Sequence, residues 1–229
     1  MTQTYRELQR KTGQTFEKGQ GMNLKIADVF DALEGVADPS DYTIYIETGT
    51  GSGGSLIEAL AWKTFKSLRT IELSEPRWRK AIIRIARNRL ARVVKYNKEI
   101  VIAETTDARA LSFNCGDSAT VLEAICPGFT CPAFFHLDAH YCTTKAGDAA
   151  PNQFPLWKEL ETIKARLHPD IISVDDVHTF GKLRPDFGTN DNPENWHGVT
   201  AGSLAAFMAP RVEMSVIVGD VFVMKLRKE

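Results

Sequence analysis

The sequence predicts an α/β protein: a doubly wound, mostly parallel sheet of seven strands that ends in an antiparallel C-terminal hairpin. Three observations carry this. Short apolar runs alternate with helical patterns along the chain, as parallel strands joined by crossover helices require. The chain then ends on two β-rich runs, 212–218 and 221–226, across the two-residue turn Gly219-Asp220, which is hairpin chemistry. Finally, the run Tyr42-Thr43-Ile44-Tyr45-Ile46-Glu47-Thr48 empties into Gly49-Thr50-Gly51-Ser52-Gly53-Gly54 and then a helix. Glycines there let the backbone turn sharply and approach a ligand, while the free N–H groups of the helix start face outward.

The elements follow in order. Residues 1–22 read as a polar N-terminal extension and 23–229 as one domain. Asn23 is placed to cap a helix over 24–36, since Leu24, Ile26, Val29, Phe30 and Leu33 fall at helical spacing. Pro39-Ser40-Asp41 breaks the chain before the glycine-turn strand. A second strand, 68–74, carries the acid Glu72 near its end. Pro76 suits the first turn of a long helix to about Lys95. Strands follow at 100–103, 133–138 and 171–174. Helices are expected from Asn114-Cys115-Gly116-Asp117-Ser118 to near Ile125, and over 156–163 after Pro155. The stretch 180–199, rich in Gly, Pro, Asn and Asp, reads as a long loop, a lid or a local insertion.

Composition narrows the function. At 229 residues and 43% apolar, the chain can bury a large core, and its formal net charge of −1 gives no global attraction to nucleic acid or anionic membrane. No apolar run approaches the ~20 residues that span a bilayer, and the start Met1-Thr2-Gln3-Thr4-Tyr5-Arg6 lacks the apolar core of a signal peptide. A cytoplasmic location without membrane contact is the default. Cys115, Cys126, Cys131 and Cys142 contain no C-x-x-C pair and read as reduced thiols.

In an open α/β sheet, ligands gather beyond the carboxyl ends of the strands. Glu47, Glu72, Asp117, Asp138, Asp175 and Asp176 all fall at or just past such ends. Each alone reads as a solvated loop acid or a helix cap; their joint placement on one rim points to a site. The glycine spacing is ambiguous by itself. Gly49-x-Gly51-x-x-Gly54 fits a dinucleotide fingerprint, and Gly49-x-Gly51-x-Gly53 fits another nucleoside pocket. Glu47 ahead of it favours the second. Glu72 suits a pair of ribose hydroxyls, because a carboxylate is a bidentate acceptor.

Taken together, Glu47-Thr48-Gly49-Thr50-Gly51-Ser52-Gly53, Glu72, Gly116-Asp117-Ser118 and the terminal hairpin resemble the class I S-adenosylmethionine-dependent methyltransferases, over roughly residues 24–229. The resemblance implies their Rossmann-like fold, with Glu47 and residues 48–53 at the methionine moiety. It also implies Glu72 with Leu73 at the ribose, and Asp117 with Ser118 at the adenine. A narrower resemblance links Phe135-His136-Leu137-Asp138-Ala139-His140-Tyr141 and Val174-Asp175-Asp176-Val177-His178 to the metal-dependent O-methyltransferases of sugars and related small molecules. It implies a Mg²⁺ ion held by Asp138, Asp175 and Asp176, with Asp138 also near the cofactor. His140 or Tyr141 would be the general base, and His178 a weaker one. His136, in a buried strand, reads as a core histidine.

The helix after Glu72 carries Arg77, Arg79, Lys80, Arg84, Arg87, Arg89, Arg92 and Lys95. A solvated face is the plainer reading of these, and a phosphate-contacting surface the other. The expected activity is therefore methyl transfer to a hydroxyl of a small polar acceptor. Methylation of a nucleic acid or nucleotide and a non-catalytic S-adenosylmethionine-binding module are the alternatives. Trp157, Phe180, Phe187 and Trp196 fit an acceptor pocket or plain packing equally, and homo-oligomerisation stays open.

Overall fold

The computed structural model describes residues 25–140, 154–189 and 192–229. The strands are β1 (Ile44–Thr48), β2 (Ser67–Glu72), β3 (Ala91–Tyr96), β4 (Ile100–Thr105), β5 (Ala110–Cys115), β6 (Ala133–Leu137), β7 (Ile171–Val174), β8 (Leu183–Thr189), β9 (Asn192–Asn195), β10 (Val212–Val218) and β11 (Val221–Leu226). The α-helices among the described residues are α1 (Ile26–Ala32), which precedes β1, and α2 (Gly54–Ala61), α3 (Glu75–Arg87), α4 (Ser118–Ile125), α5 (Leu156–Lys164) and α6 (Ala201–Met208) between strands.

The main sheet has the order β10-β11-β7-β6-β1-β2-β5-β4-β3. Its centre, β7-β6-β1-β2-β5, is parallel, and β11 runs antiparallel to both β7 and β10. Each residue of β1 is buried, so alternate side chains enter opposite layers. Tyr45 joins α1, α2 and α3 through Val29, Phe30, Leu56, Trp78 and Ile85. Ile44 and Ile46 join α4, α5 and α6 through Leu122, Leu160, Ile163, Leu204 and Met208. With helices on both faces, the carboxyl ends of the parallel strands form one open rim.

The seven-strand expectation is corrected to nine in this sheet. The helix expected to reach Lys95 stops at Arg87; Arg89 takes a left-handed φ of 55° and β3 begins at Ala91. The β-branched pair Val93-Val94 prefers the pleated surface once the turn is made. β5 lacked an apolar signature because Ser112 and Asn114, both buried, accept from Arg69 Nη1 (2.9 Å) and donate to the Thr70 carbonyl (3.1 Å), respectively. The expected loop 180–199 contains the hairpin β8–β9, which pairs as a separate two-stranded sheet. The helix expected over 24–36 spans Ile26–Ala32 with Lys25 at its N-cap, and Asn23 lies outside the described residues. Cys115, Cys126 and Cys131 are free thiols; Cys142 is outside the described residues. Among the described residues, no helix is long and apolar enough to cross a membrane.

Away from the rim, Arg109 closes the end of α2. Its guanidinium donates to the carbonyls of Leu60 (2.6 Å), Trp62 (2.8 Å) and Phe65 (3.1 Å) and meets Asp107 at 2.8 Å. Replacing Arg109 with Met should lower the urea-unfolding free energy by ~2–4 kcal/mol, because carbonyls are left buried without donors. An unchanged midpoint and slope would contradict this.

Candidate active site

The glycine turn is built from its backbone outward. Gly49, Gly51 and Gly53 hold φ of 72°, 53° and 79°, while Gly54 is already helical. The left-handed positions therefore follow the G-x-G-x-G spacing. Ile71 O receives the N–H groups of Gly49 (2.9 Å) and Thr50 (3.2 Å), which ties the turn to β2. A Cβ at Gly49 would run into the carbonyl of Asp138, so only glycine allows the two strand tips to touch. At Gly51 a Cβ would meet nothing nearer than the Gly49 carbonyl at 3.8 Å, and that side of the turn is open to a ligand. Arg84 of α3 holds the turn from behind, donating to Ser52 O at 3.0 Å and to its Oγ at 3.2 Å.

Carboxylates ring this turn. Glu47 is buried, and its oxygens accept the hydroxyls of Ser55 (2.7 Å), Thr70 (2.8 Å) and Tyr45 (2.9 Å). Burial outweighs these bonds and pushes its pKa up to about 7. Glu72 accepts the N–H of Gly51 (2.8 Å) and of Ser74 (2.9 Å), one on each oxygen, and burial also raises its pKa. Leu73 beside it is 41% exposed, an apolar surface at the rim. Asp117 caps α4, accepting from Thr120 N at 3.0 Å and Thr120 Oγ1 at 2.8 Å through one oxygen. Thr50 bonds Thr70 and the Ile71 carbonyl rather than facing outward.

Beneath the turn, on the opposite side of β1, lies an acid that sequence reasoning missed. Glu159 of α5 is fully buried, and burial pushes its pKa up to about 7. The hydroxyls of Ser118 and Thr48 face it, yet neither Glu159 oxygen completes a hydrogen bond of ordinary geometry. The sequence signal for it was slight: an acid at a core-facing position of an amphipathic helix.

The second half of the rim joins β6 to β7. Parallel register pairs His136 with Ser173 and Leu137 with Val174, so by alternation His136, Asp138, Ser173 and Asp175 share one side. His140 Nε2 lies 2.9 Å from Asp176 Oδ2 and 3.3 Å from Asp138 Oδ1. His136 Nε2 lies 4.0 Å from Asp175 Oδ2. Asp138 is thus common to two ligand-like groups, His136–Asp138–Asp175 and Asp138–His140–Asp176, each with its donor atoms within 4.8 Å of one another. No such group among the described residues contains Asp138, Asp175 and Asp176 together. Burial, and then the charge of Asp138, raise the pKa of Asp175. His178 turns to the hairpin, its Nδ1 2.6 Å from Asp220 Oδ2. Tyr141 lies outside the described residues.

Aromatic rings wall this half. Trp196 meets His140 edge-on at 5.6 Å, Phe154 at 4.6 Å and Phe180 stacked at 5.7 Å. Trp157 packs on Phe207 instead, and the Phe187 side chain lies outside the described ones.

Neither a family model nor a curated protein matches this sequence. Solved structures do. The O-methyltransferase TomG of Streptomyces achromogenes, involved in tomaymycin synthesis and solved with S-adenosylmethionine, superposes with a TM-score of 0.52 at 16% identity, over 90% of this chain and 79% of its own. A candidate caffeoyl-CoA O-methyltransferase of Staphylococcus aureus gives 0.52 at 12%, over 97% and 90%. A candidate O-methyltransferase of Klebsiella pneumoniae gives 0.51 at 15%, over 97% and 87%. The fold is the class I methyltransferase fold. Within it, the glycine turn and Glu72 of this chain stand at the carboxyl ends of β1 and β2 and Asp117 just beyond β5.

Two outcomes follow. Gly49→Ala should destabilise the chain by ~2 kcal/mol or more, since a left-handed turn and a backbone contact are both lost; a thermal midpoint equal to wild type would refute the close approach. Glu159 keeps its proton in the fold up to about pH 7, whereas the unfolded chain loses it near 4.5. The native state therefore binds more protons in that window, and stability falls as pH rises through it. Glu159→Gln should raise the thermal midpoint at pH 8, by ~1–3 kcal/mol in stability, and change little at pH 4.5. Equal gains at both pH values would show that the charge is not the cause.

Proposed function

We propose that this chain is an S-adenosylmethionine-dependent methyltransferase acting on a hydroxyl of a small polar acceptor, assisted by a divalent cation on the β6–β7 half of the rim. The observation that carries the reading is the meeting of Gly49 with the Asp138 carbonyl, which sets a nucleoside-type pocket directly beside a carboxylate–imidazole cluster. When bound, S-adenosylmethionine supplies an electrophilic sulfonium methyl group, and a divalent cation lowers the pKa of an acceptor hydroxyl.

The residues divide the remaining work. Glu72 retains a free lone pair on each oxygen for ribose hydroxyls, because Gly51 and Ser74 take one apiece. Leu73 offers the base an apolar face, and Asp117 with Ser118 meets its amino edge. Glu47 places negative charge behind the turn, where a cationic methionine moiety gains most from it. Asp138 and Asp176 would hold the cation with Asp175 at its buried flank, and Tyr141 would take the acceptor's proton. Trp196, Phe154 and Phe180 keep bulk water from the His140 side. The basic helix is drawn into other work: Arg79 pairs with Glu75 at 2.6 Å and Arg84 holds Ser52. That weighs against a nucleic-acid acceptor.

Calorimetry should show one-site binding of S-adenosylhomocysteine, weakened roughly tenfold or more by Glu72→Ala. Failure to bind it, alongside tight NAD binding, would overturn the reading. Asp175→Asn combined with Asp176→Asn should abolish cation-dependent turnover and leave the S-adenosylhomocysteine isotherm intact.

A further inference from the structure

The donor atoms at the rim are not those of an all-oxygen cation site. We propose that His140 is a metal ligand rather than the proton acceptor, and that with Asp138 and Asp176 it selects a first-row transition ion, such as Mn²⁺, Fe²⁺ or Co²⁺, over Mg²⁺. This rests on reading the rim as a cation site, and is independent of whether methyl transfer is the reaction.

Three observations carry it. His140 Nε2 is the atom that faces both carboxylates, at 2.9 Å from Asp176 Oδ2 and 3.3 Å from Asp138 Oδ1, with its side chain only 8% exposed. Its ring is fixed from the side by the edge-on contact with Trp196, so the direction of Nε2 is set before any ligand arrives. One ion among three donors that already lie within 4.8 Å of one another replaces two like charges and an imidazole with a neutralised cluster. Magnesium prefers oxygen donors and holds its water tightly, whereas imidazole nitrogen suits the later divalent ions.

The second histidine supplies the independent observation. His136 is 1% exposed, and its Nδ1 lies 3.1 Å from Ser173 Oγ. That hydroxyl spends its own proton on the Phe135 carbonyl, also at 3.1 Å, so it accepts from Nδ1–H. The tautomer assigned by this network leaves the Nε2 lone pair bare. Among the described residues Nε2 makes no hydrogen bond, and it points into the acid cluster, 4.0 Å from Asp175 Oδ2. A ring nitrogen held from behind and aimed at carboxylates is how a protein prepares a metal-binding histidine. His136 and Asp175 thus flank the ion's pocket on the buried side, and both groups meet at Asp138.

Metal-stripped protein, with no cofactor or acceptor present, is titrated with Mn²⁺ and examined by electron spin-echo modulation. The expected result is one saturable site whose spectrum carries modulation from a coordinated imidazole nitrogen. His140→Ala should remove that modulation and weaken Mn²⁺ roughly tenfold or more while changing Mg²⁺ affinity less than about threefold. His140→Asn serves as the second variant, because it keeps a polar side chain against Trp196. Undiminished S-adenosylhomocysteine binding shows that each variant is folded. No saturable Mn²⁺ binding, no nitrogen modulation in wild type, or modulation that survives both variants overturns the assignment. Loss of S-adenosylhomocysteine binding by wild type would instead strike the methyltransferase reading and leave this result standing.

Discussion

The contact between Gly49 and the Asp138 carbonyl is the constraint on which the rim depends. β1 and β6 are hydrogen-bonded in parallel to their last residues, and Asp138 N continues the ladder to Thr48 O at 3.1 Å. Beyond that bond the two chains must part in opposite directions, one into the glycine turn and the other toward His140. A side chain at Gly49 would force them apart one residue too early. With glycine there, the half of the rim on β1, β2 and β5 and the half on β6 and β7 are held a single backbone contact apart. Two groups that must react in line need a fixed separation of this kind.

Charge is arranged around the same point. Glu47 enters the layer of α1–α3 and Glu159 that of α4–α5, so β1 carries a buried acid on either side of its tip. Neither has a basic partner among the causes of its shift, and burial raises the pKa of both. An uncompensated buried acid costs stability. On the proposed reading a cationic ligand sits beside these acids, and it would recover part of that cost by favouring the ionised form. By the same linkage, binding of such a ligand would release protons at neutral pH.

Much of this was legible in the sequence. The glycine turn, the strand-end acids and the terminal hairpin are local patterns, and each stands at the predicted place. Elements whose identity is set by neighbours were not legible. β5 is a strand although Ser112 and Asn114 break its apolar pattern, because Arg69 and the Thr70 carbonyl satisfy them. β3 followed a basic amphipathic helix with no glycine or proline to mark the stop; the left-handed Arg89 made the turn instead. Glu159 was hidden because an acid on a helix normally faces water, and only the packing of α5 under β1 reverses that. The grouping of His136 with Asp175 needs the β6–β7 register, which no single strand contains.

The two halves of the rim also differ in how they are held. The half on β1 and β2 is fastened chiefly at its backbone: Ile71 O accepts the N–H groups of Gly49 and Thr50, the Glu72 carboxylate those of Gly51 and Ser74, and Arg84 donates to Ser52 O. The half on β6 and β7 is held by rings from separate segments, with Phe180 before β8 and Phe154 ahead of α5 packed on Trp196 just after β9, and Trp196 packed on His140. The main sheet contributes neither Phe180 nor Trp196, since the hairpin that carries them pairs with itself. Changes in that hairpin can reshape the aromatic wall beside His140 without disturbing the ladder that positions Glu47, Gly49 and Glu72. On the proposed reading, acceptor choice therefore resides in the hairpin and its flanks, while cofactor choice is built into the sheet.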